Sequence, residues 1–259
     1  MQDSIKEFSM DFFSLKGKVA MVTGGNTNLG MAYCVAFAKA GADIFVPHFL
    51  PDVVEVKDAV EAEGRRIGFL QGDLTDAAYR KAAVAACLET FGRIDILVNN
   101  ANIGLFAPFE EYTDEMYLKT VDIGLNAAYS LGREVGLVMK KQKSGKIINI
   151  GSALSFTGDT GCPGYVIVKH GMIGVTRVFA NELRNDGVQC NCLCPGFFKS
   201  DVNTGVAQEI VDRVAAQLPG GKWGEFGDLM GTAVFLASRA SDYVNGWAIS
   251  VDGGFTSVI

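Results

Sequence analysis

Tyr165 and Lys169 stand four residues apart in a stretch that reads as helix, and Ser152 lies thirteen residues before the tyrosine, after a strand. Helical spacing of four puts the phenol and the ammonium on one face, about 5–6 Å apart at Cβ. A free phenol titrates near 10, so service as an acid or base near neutrality asks for about three pH units, or about 4 kcal/mol of differential stabilisation of the phenolate. A neighbouring ammonium pushes that way, because opposite charge favours the ionised form. Near the start of the chain, Thr23-Gly24-Gly25-Asn26-Thr27-Asn28-Leu29-Gly30 forms a glycine-rich strand-to-helix turn. Such a turn lets backbone approach a pyrophosphate whose charge the helix N-terminus stabilises. Y-x-x-x-K alone is a common surface pattern. Following a glycine turn and a serine in this order, it describes a hydride-transfer site on a dinucleotide-binding fold.

The elements that must position these groups alternate from end to end. Strands are predicted at 18–22, 43–46, 67–70, 94–98, 146–150, 188–193 and 247–251. Helices are predicted at 29–40, 53–63, 76–91, 114–141, 165–185 and 228–238, with Gly41, Gly64 and Gly92 closing the first three. Seven strands alternating with helices imply an α/β fold with a doubly wound parallel sheet. In such sheets ligands bind outside the carboxyl ends of the strands. Gly24, Asp73, Asn99 with Asn100, Ser152, and Pro195 with Gly196 follow strands one, three, four, five and six, so the polar candidates gather on that edge.

Composition agrees with an enzyme of one domain. A 259-residue chain that is 49% apolar and 20% charged fills a sizeable core, and α/β units of this length are commonly single domains. No apolar run reaches the roughly 18 residues of a membrane span, and Met1 to Glu7 lacks a secretory pattern, so a cytoplasmic location is expected. A net charge of −6 without a basic cluster argues against nucleic-acid or membrane partners. Cys190, Cys192 and Cys194 recur with period two, on one strand face. With only His48 and His170 as histidines, they read as small buried hydrophobes rather than metal ligands. Cys162 lacks a partner base and is not read as a nucleophile.

Two asparagines stand where glycine is common. Asn28 occupies the turn's second glycine position and Asn102 follows Asn99-Asn100-Ala101; asparagine is the best non-glycine occupant of positive φ, so both turns survive. At the end of strand two, an acid would bind ribose hydroxyls and a base would favour a 2′-phosphate. The chain has His48 there, and neither Phe49 nor Thr27 is basic, so NAD is expected over NADP. Asp73 is expected to accept from the adenine amine, Asp76 serving as the helix N-cap.

These residues resemble the short-chain dehydrogenase/reductase family. The matching pieces are Thr23 to Gly30, Asp73, Asn99-Asn100-Ala101, Ser152, Tyr165 with Lys169, Pro195-Gly196 and Val251-Asp252-Gly253-Gly254. The resemblance implies a three-layer, Rossmann-like single domain, a nicotinamide cofactor, a small-molecule substrate, no metal and a homotetramer. It implies that Tyr165 exchanges the substrate proton, that Ser152 hydrogen-bonds the substrate oxygen and that Lys169 holds the nicotinamide ribose. Cofactor contacts are then expected from Gly24, Asn26, Asn28, Leu29, Gly30, His48, Asp73, Leu74, Asn100, Tyr165, Lys169, Pro195, Phe198 and Ser200. Residues 1–16 form an N-terminal extension and 197–224 a substrate-side lid. One departure concerns the long helix, where the family places an asparagine that holds a relay water and this chain has Gly124. Asn126 cannot substitute without a local bulge, so either a water alone fills the gap or turnover suffers.

Within the family, Gly221-Lys222-Trp223-Gly224, Asp228-Leu229-Met230-Gly231 and 240–246 look like the branch of gluconate 5-dehydrogenase and 2-dehydro-3-deoxy-D-gluconate 5-dehydrogenase. A sugar acid wants a cation for its carboxylate, and only Lys199 offers one, since the loop 157–164 contributes Asp159 instead. Phe106, Phe109, Phe156, Phe197 and Phe198, with Val202, Val206, Ile210 and Val211 as a lid, suit a larger alicyclic ketone such as a steroid, unless the phenylalanines are ordinary core. A sugar-acid dehydrogenase, a hydroxysteroid dehydrogenase and a nucleotide-binding regulatory protein without turnover remain the alternatives.

Overall fold

The structure, a computed structural model, describes residues 3–199 and 208–257. Ser200, Val202 and Val206 lie outside the described residues. Seven strands, β1 (Val19–Val22), β2 (Asp43–His48), β3 (Ile67–Gln71), β4 (Ile96–Asn99), β5 (Gly145–Ile150), β6 (Val188–Pro195) and β7 (Ala248–Val251), form one sheet in the order β3-β2-β1-β4-β5-β6-β7. Every pairing is parallel. The central strands are buried on both faces, which is why they read as unbroken apolar runs rather than alternating ones.

Alternate strand residues go to opposite layers. Ala20, Val22, Ile44, Val46, Ile96, Val98, Ile148 and Ile150 pack under α2 (Asn28–Lys39), α3 (Val54–Ala62) and α9 (Gly227–Ala237), through Tyr33, Phe37, Val56, Val60, Leu229 and Leu236. Val19, Met21, Phe45, Leu97, Ile147 and Cys190 pack on the other face under α4 (Ala77–Phe91), α6 (Ala127–Gln142) and α7 (Pro163–Glu182), through Cys87, Leu131, Val135, Met139 and Phe179. Three layers result. Strand order reverses between β1 and β4, which opens a crevice at their carboxyl ends and sets Gly24 beside Asn100.

Several elements differ from the sequence expectation. The helix expected over 114–141 is broken into α5 (Asp114–Val121), a π-helical turn at Asp122–Asn126, and α6. The segment expected as a substrate-side lid carries a helix, α8 (Gln208–Gln217), that the sequence expectation did not include. Strands β2 and β6 run further, so His48 and Pro195 end them instead of following them, and Asn99 closes β4. The N-terminal extension contains α1 (Asp3–Glu7) and a 3₁₀ turn at Met10–Phe13. It is anchored by buried Leu15 and by the Arg239 guanidinium 4.3 Å over the Phe12 ring. Among the described residues no helix is long and apolar enough to cross a membrane.

Candidate active site

The turn after β1 is built to bring backbone close to a ligand. Gly24 has φ 62° and Asn28 φ 45°, so asparagine takes the left-handed position as its residue type suggests. A Cβ on Gly30 would collide with the Gly24 carbonyl oxygen and come within 2.7 Å of Asn100 Nδ2. Thr23 organises the neighbouring loop. Its Oγ1 accepts from the backbone N–H groups of Asn100 (3.0 Å) and Ala101 (2.9 Å), while Asn100 Nδ2 donates to the Thr23 carbonyl at 2.9 Å. Thr23 has no role of its own in the sequence pattern; a hydroxyl at the end of a first parallel strand is the available signal. A cradle this tight, at a helix N-terminus in the switch-point crevice, fits the pyrophosphate of a dinucleotide.

Farther out, the adenosine-side candidates are partly engaged within the protein. Asn26 Nδ2 donates to the carbonyls of Leu50 (3.0 Å) and Asp52 (2.8 Å), so it holds the loop after β2. His48 is buried, with Nδ1 2.8 Å from the Leu50 carbonyl and its ring edge-on to Phe69. A carbonyl only accepts, so Nδ1 carries the proton. Asp73 Oδ1 accepts from Thr75 N and Oγ1, both at 2.8 Å, while Asp76 caps α4 through Ala78 N. Asp73 is exposed and has a second carboxylate oxygen for a ligand donor.

Catalytic candidates sit at the carboxyl end of β5 and on α7, which Pro163 opens at its first turn. Tyr165 is half-buried and Lys169 is 4% exposed. Lys169 Nζ donates to the Ile150 carbonyl at 2.8 Å and lies 5.3 Å from the centroid of the Tyr165 ring. Among the described residues this buried ammonium forms no ion pair, an arrangement that costs stability. Ser152 Oγ accepts from Leu154 N at 3.1 Å, which leaves its own proton to give away.

Ser155 escaped the sequence reading and ties the two halves together. Its Oγ accepts from Ser152 N at 3.0 Å and donates to the Lys169 carbonyl at 2.7 Å, joining the serine loop to the helix of the tyrosine. The signal was a Ser-x-x-Ser spacing, a variant of the reciprocal capping pattern. Ser155 is 3% exposed, so Ser155→Ala takes the partner from the half-buried Ser152 N–H and leaves a small void. The expected cost is about 1–3 kcal/mol in urea unfolding, together with reduced turnover; a change below about 0.5 kcal/mol would show that the tie is dispensable.

Glycines let α7 approach the layer behind it. A Cβ on Gly164 would come within 2.5 Å of the Tyr112 hydroxyl, and one on Gly171 within 3.0 Å of Leu125. At Gly124, inside the π-helical turn, a Cβ would collide with Asn102 Oδ1 and stand 2.6 Å from Val168 Cγ1. The expected gap at Gly124 is therefore filled by protein: Asn102 reaches in from the loop after β4, and water alone does not occupy the place. A π-helical bulge of the kind that substitution by Asn126 would require does exist. Asn126 nevertheless turns outward, with Nδ2 2.7 Å from Asp122 Oδ1 in an exposed contact.

Cys190, Cys192 and Cys194 are fully buried, with the last two sulfurs 3.6 Å apart under Gly151. Burial pushes the Cys190 thiol well up, and burial, then Asp159, also raises Cys162, as inert packing residues require, whereas the contact with Cys192 holds the Cys194 thiol below its ordinary range. No metal-ligating cluster exists among the described residues. Gly196 packs on the backbone of Asp252, whose carboxylate holds Gly254 N and Thr256 N, so the terminal Asp-Gly-Gly closes the edge beyond β6 and β7. Lys199 pairs with Glu225 at 2.6 Å.

The phenylalanines divide. Phe197 packs with Trp223 and Phe255, and Phe198 is buried beside a backbone bridge to Gly224. Phe106, Phe109 and Phe156 are 70%, 83% and 44% exposed, so they are not core.

A family profile described as Enoyl-(Acyl carrier protein) reductase matches residues 24–256. The chain is 44% identical over 255 residues to "Uncharacterized oxidoreductase YgcW" of Escherichia coli strain K12, covering 98% of each chain. It is 41% identical over 250 residues to 2-dehydro-3-deoxy-D-gluconate 5-dehydrogenase of Bacillus subtilis strain 168, covering 95% of this chain and 98% of the relative. The crystal structure of a gluconate 5-dehydrogenase from Burkholderia cenocepacia J2315, in complex with NADP and tartrate, superposes with a TM-score of 0.91 at 30% identity, over 96% of this chain and 99% of that one. A glycine cradle at the switch point, a Ser–Tyr–Lys set on the same sheet edge and likeness along nearly the whole chain have one common reading: this protein belongs to the short-chain dehydrogenase/reductase family, a family of oxidoreductases.

Proposed function

We propose that the protein interconverts a secondary alcohol and a ketone on a sugar acid of the gluconate type, with NAD preferred over NADP. The observation that carries the reading is the buried Lys169 ammonium, 5.3 Å from the Tyr165 ring, on the sheet edge that holds the glycine cradle. Gly24, Asn28, Leu29 and Gly30 bind the pyrophosphate, Asn100, Tyr165 and Lys169 the nicotinamide riboside, and Asp73 with Leu74 the adenine. When bound, the nicotinamide gives or takes a hydride at its C4. Tyr165 gives its phenolic proton to the carbonyl oxygen in reduction and takes the hydroxyl proton in oxidation. Ser152 donates to the same oxygen and fixes its direction. Lys169 stabilises the phenolate between those events, because its positive charge lies next to the ring.

Preference for NAD is supported at the end of β2. His48 Nδ1 is committed to the Leu50 carbonyl, and the following residues, Phe49 and Leu50, are exposed apolar side chains instead of cations. A neutral imidazole then offers only an acceptor to a ribose hydroxyl. The sugar-acid reading draws on the relatives' names and on Lys199. Its ion pair with Glu225 has both side chains about two-thirds exposed, a weak class of contact that a substrate carboxylate can replace. The exposed trio Phe106, Phe109 and Phe156 supports the hydroxysteroid reading as the second choice. Absorbance at the reduced-nicotinamide band separates the readings when NADH and NADPH are each offered with 5-keto-gluconate-type acids and with oxo-steroids. Turnover of the keto acid, faster with NADH, is expected. Turnover of oxo-steroids alone would replace the substrate class, and a flat trace with NADH binding retained would make this a nucleotide-binding protein without turnover.

A further inference from the structure

We propose that Cys192 and Cys194 form a reversible oxidation site beneath the Ser152 loop, where a hydroperoxide joins the two thiols as a disulfide and a thiol reductant restores them. Loss of turnover on oxidation rests on the dehydrogenase reading above; the thiol chemistry stands apart from it. The two sulfurs lie 3.6 Å apart in mutual hydrogen-bond contact, both residues are fully buried, and neither takes part in hydride or proton transfer. A disulfide that forms inside a reducing compartment is ordinarily a transient, redox-sensing one.

The pair is wired to the catalytic groups through backbone. Leu193, between the two cysteines, accepts from Gly151 N at 2.8 Å. A Cβ on Gly151 would come within 2.6 Å of Cys194 Sγ, 2.8 Å of Cys192 Sγ and 2.9 Å of Ser155 Oγ, so Gly151 rests on both sulfurs. On one side of Gly151 the Ile150 carbonyl holds Lys169 Nζ, and on the other Ser152 N is held by Ser155 Oγ. Same-face neighbours on a strand stand about 6.6 Å apart at Cα, near the long end of what a disulfide spans. Joining the sulfurs therefore shortens β6 at Leu193 and draws Gly151 with it. The Ser152 hydroxyl and the Lys169 anchor are displaced together.

The two thiols are also unequal. The hydrogen bond with Cys192 holds Cys194 below its ordinary range, and the same contact, then burial, holds Cys192 above it. Cys194 is then the attacking sulfur and Cys192 the resolving one. With hydrogen peroxide, the Cys194 thiolate attacks one oxygen, the O–O bond breaks, and the leaving hydroxide takes up the proton that Cys194 gave up. The Cys192 sulfur next attacks the resulting sulfenic acid at sulfur. Its S–O bond breaks, and the hydroxide leaves with the Cys192 proton as a second water. Two thiols lose two electrons and one peroxide gains them. Cys194 precedes Pro195, which ends β6 at the ligand edge, and local opening of that edge admits an oxidant little larger than water.

The experiment treats the wild-type enzyme, Cys194→Ala and Cys192→Ala with hydrogen peroxide, then with dithiothreitol. Turnover of a keto sugar acid with NADH is followed, and fragmentation mass spectrometry reads the tryptic peptide 185–199, which holds both cysteines. Wild type is expected to lose tenfold or more of its kcat as the peptide loses two hydrogens between Cys192 and Cys194, and to regain it with dithiothreitol. Cys194→Ala is expected to start within about threefold of wild type and to resist peroxide. Cys192→Ala, lacking the resolving thiol, is expected to be inactivated with oxygen added at Cys194 and little recovery. Peroxide inactivation that persists in Cys194→Ala, a disulfide that leaves wild-type turnover within twofold, or a peptide that stays reduced under peroxide would overturn the proposal. If the wild-type chain binds NADH without turnover, the dehydrogenase reading falls alone. The peptide mass and a dithiothreitol-reversible drop in thermal midpoint, absent from Cys194→Ala, then decide the oxidation site.

Discussion

Replacing Tyr165 with phenylalanine is expected to reduce kcat by about two to four orders of magnitude, the usual contribution of a positioned acid or base. The ring and its packing remain, and only the hydroxyl is lost. The Lys169 ammonium keeps its hydrogen bond to the Ile150 carbonyl, so the local electrostatics and the cofactor cradle persist. Affinity for NADH should therefore stay within about threefold, and KM should change far less than kcat. That split is the signature of an interaction made in the transition state and not in binding. Steady-state kinetics with a fluorescence titration of NADH measures both halves. A variant retaining more than a tenth of the turnover would remove Tyr165 from the proton step; a variant that loses NADH would show that the hydroxyl is a binding group first.

What was legible in the sequence was whatever a short pattern dictates through backbone geometry. Strand-helix alternation fixed the sheet because both faces of the central strands are covered, and their residues had to be apolar throughout. Gly24, Asn28 and Gly30 were readable because φ and close approach restrict residue type, and Asn28 at φ 45° answers that restriction. Helical spacing likewise placed Lys169 beside Tyr165. The unreadable parts depend on contacts far apart in the chain. Ser155 acts by joining residues three before and fourteen after it. Asn102 and Gly124 are separate oddities until the loop after β4 is folded against the π-helical turn, and nothing in 114–141 interrupts the helical periodicity to announce that turn. Lys199 read as a free cation because its partner Glu225 lies 26 residues away.

The second large effect is expected at Gly30. A methyl there has no soft neighbour to displace: it meets the Gly24 carbonyl oxygen, which belongs to the backbone of the cradle, and Asn100 Nδ2 at 2.7 Å. Gly24 is at φ 62°, where further rotation of the peptide is restricted, and Asn100 is held by its bond to the Thr23 carbonyl. Relief must come from α2 moving away from the turn, yet Tyr33, Cys34 and Phe37 on that helix are fully buried. Overpacking of this kind costs about 1–3 kcal/mol, and opening the turn also takes the helix N-terminus away from the phosphates it stabilises. Gly30→Ala is therefore expected to lower the thermal midpoint by several degrees and to weaken NADH binding at least tenfold, with kcat at saturating cofactor the least affected quantity. Asn28→Gly, in the same turn, removes a positive-φ side chain without adding an atom and is expected to leave NADH affinity unchanged or improved. If Gly30→Ala binds NADH as tightly as wild type, the turn does not approach the cofactor in the way proposed, whatever the fate of the Ser–Tyr–Lys set.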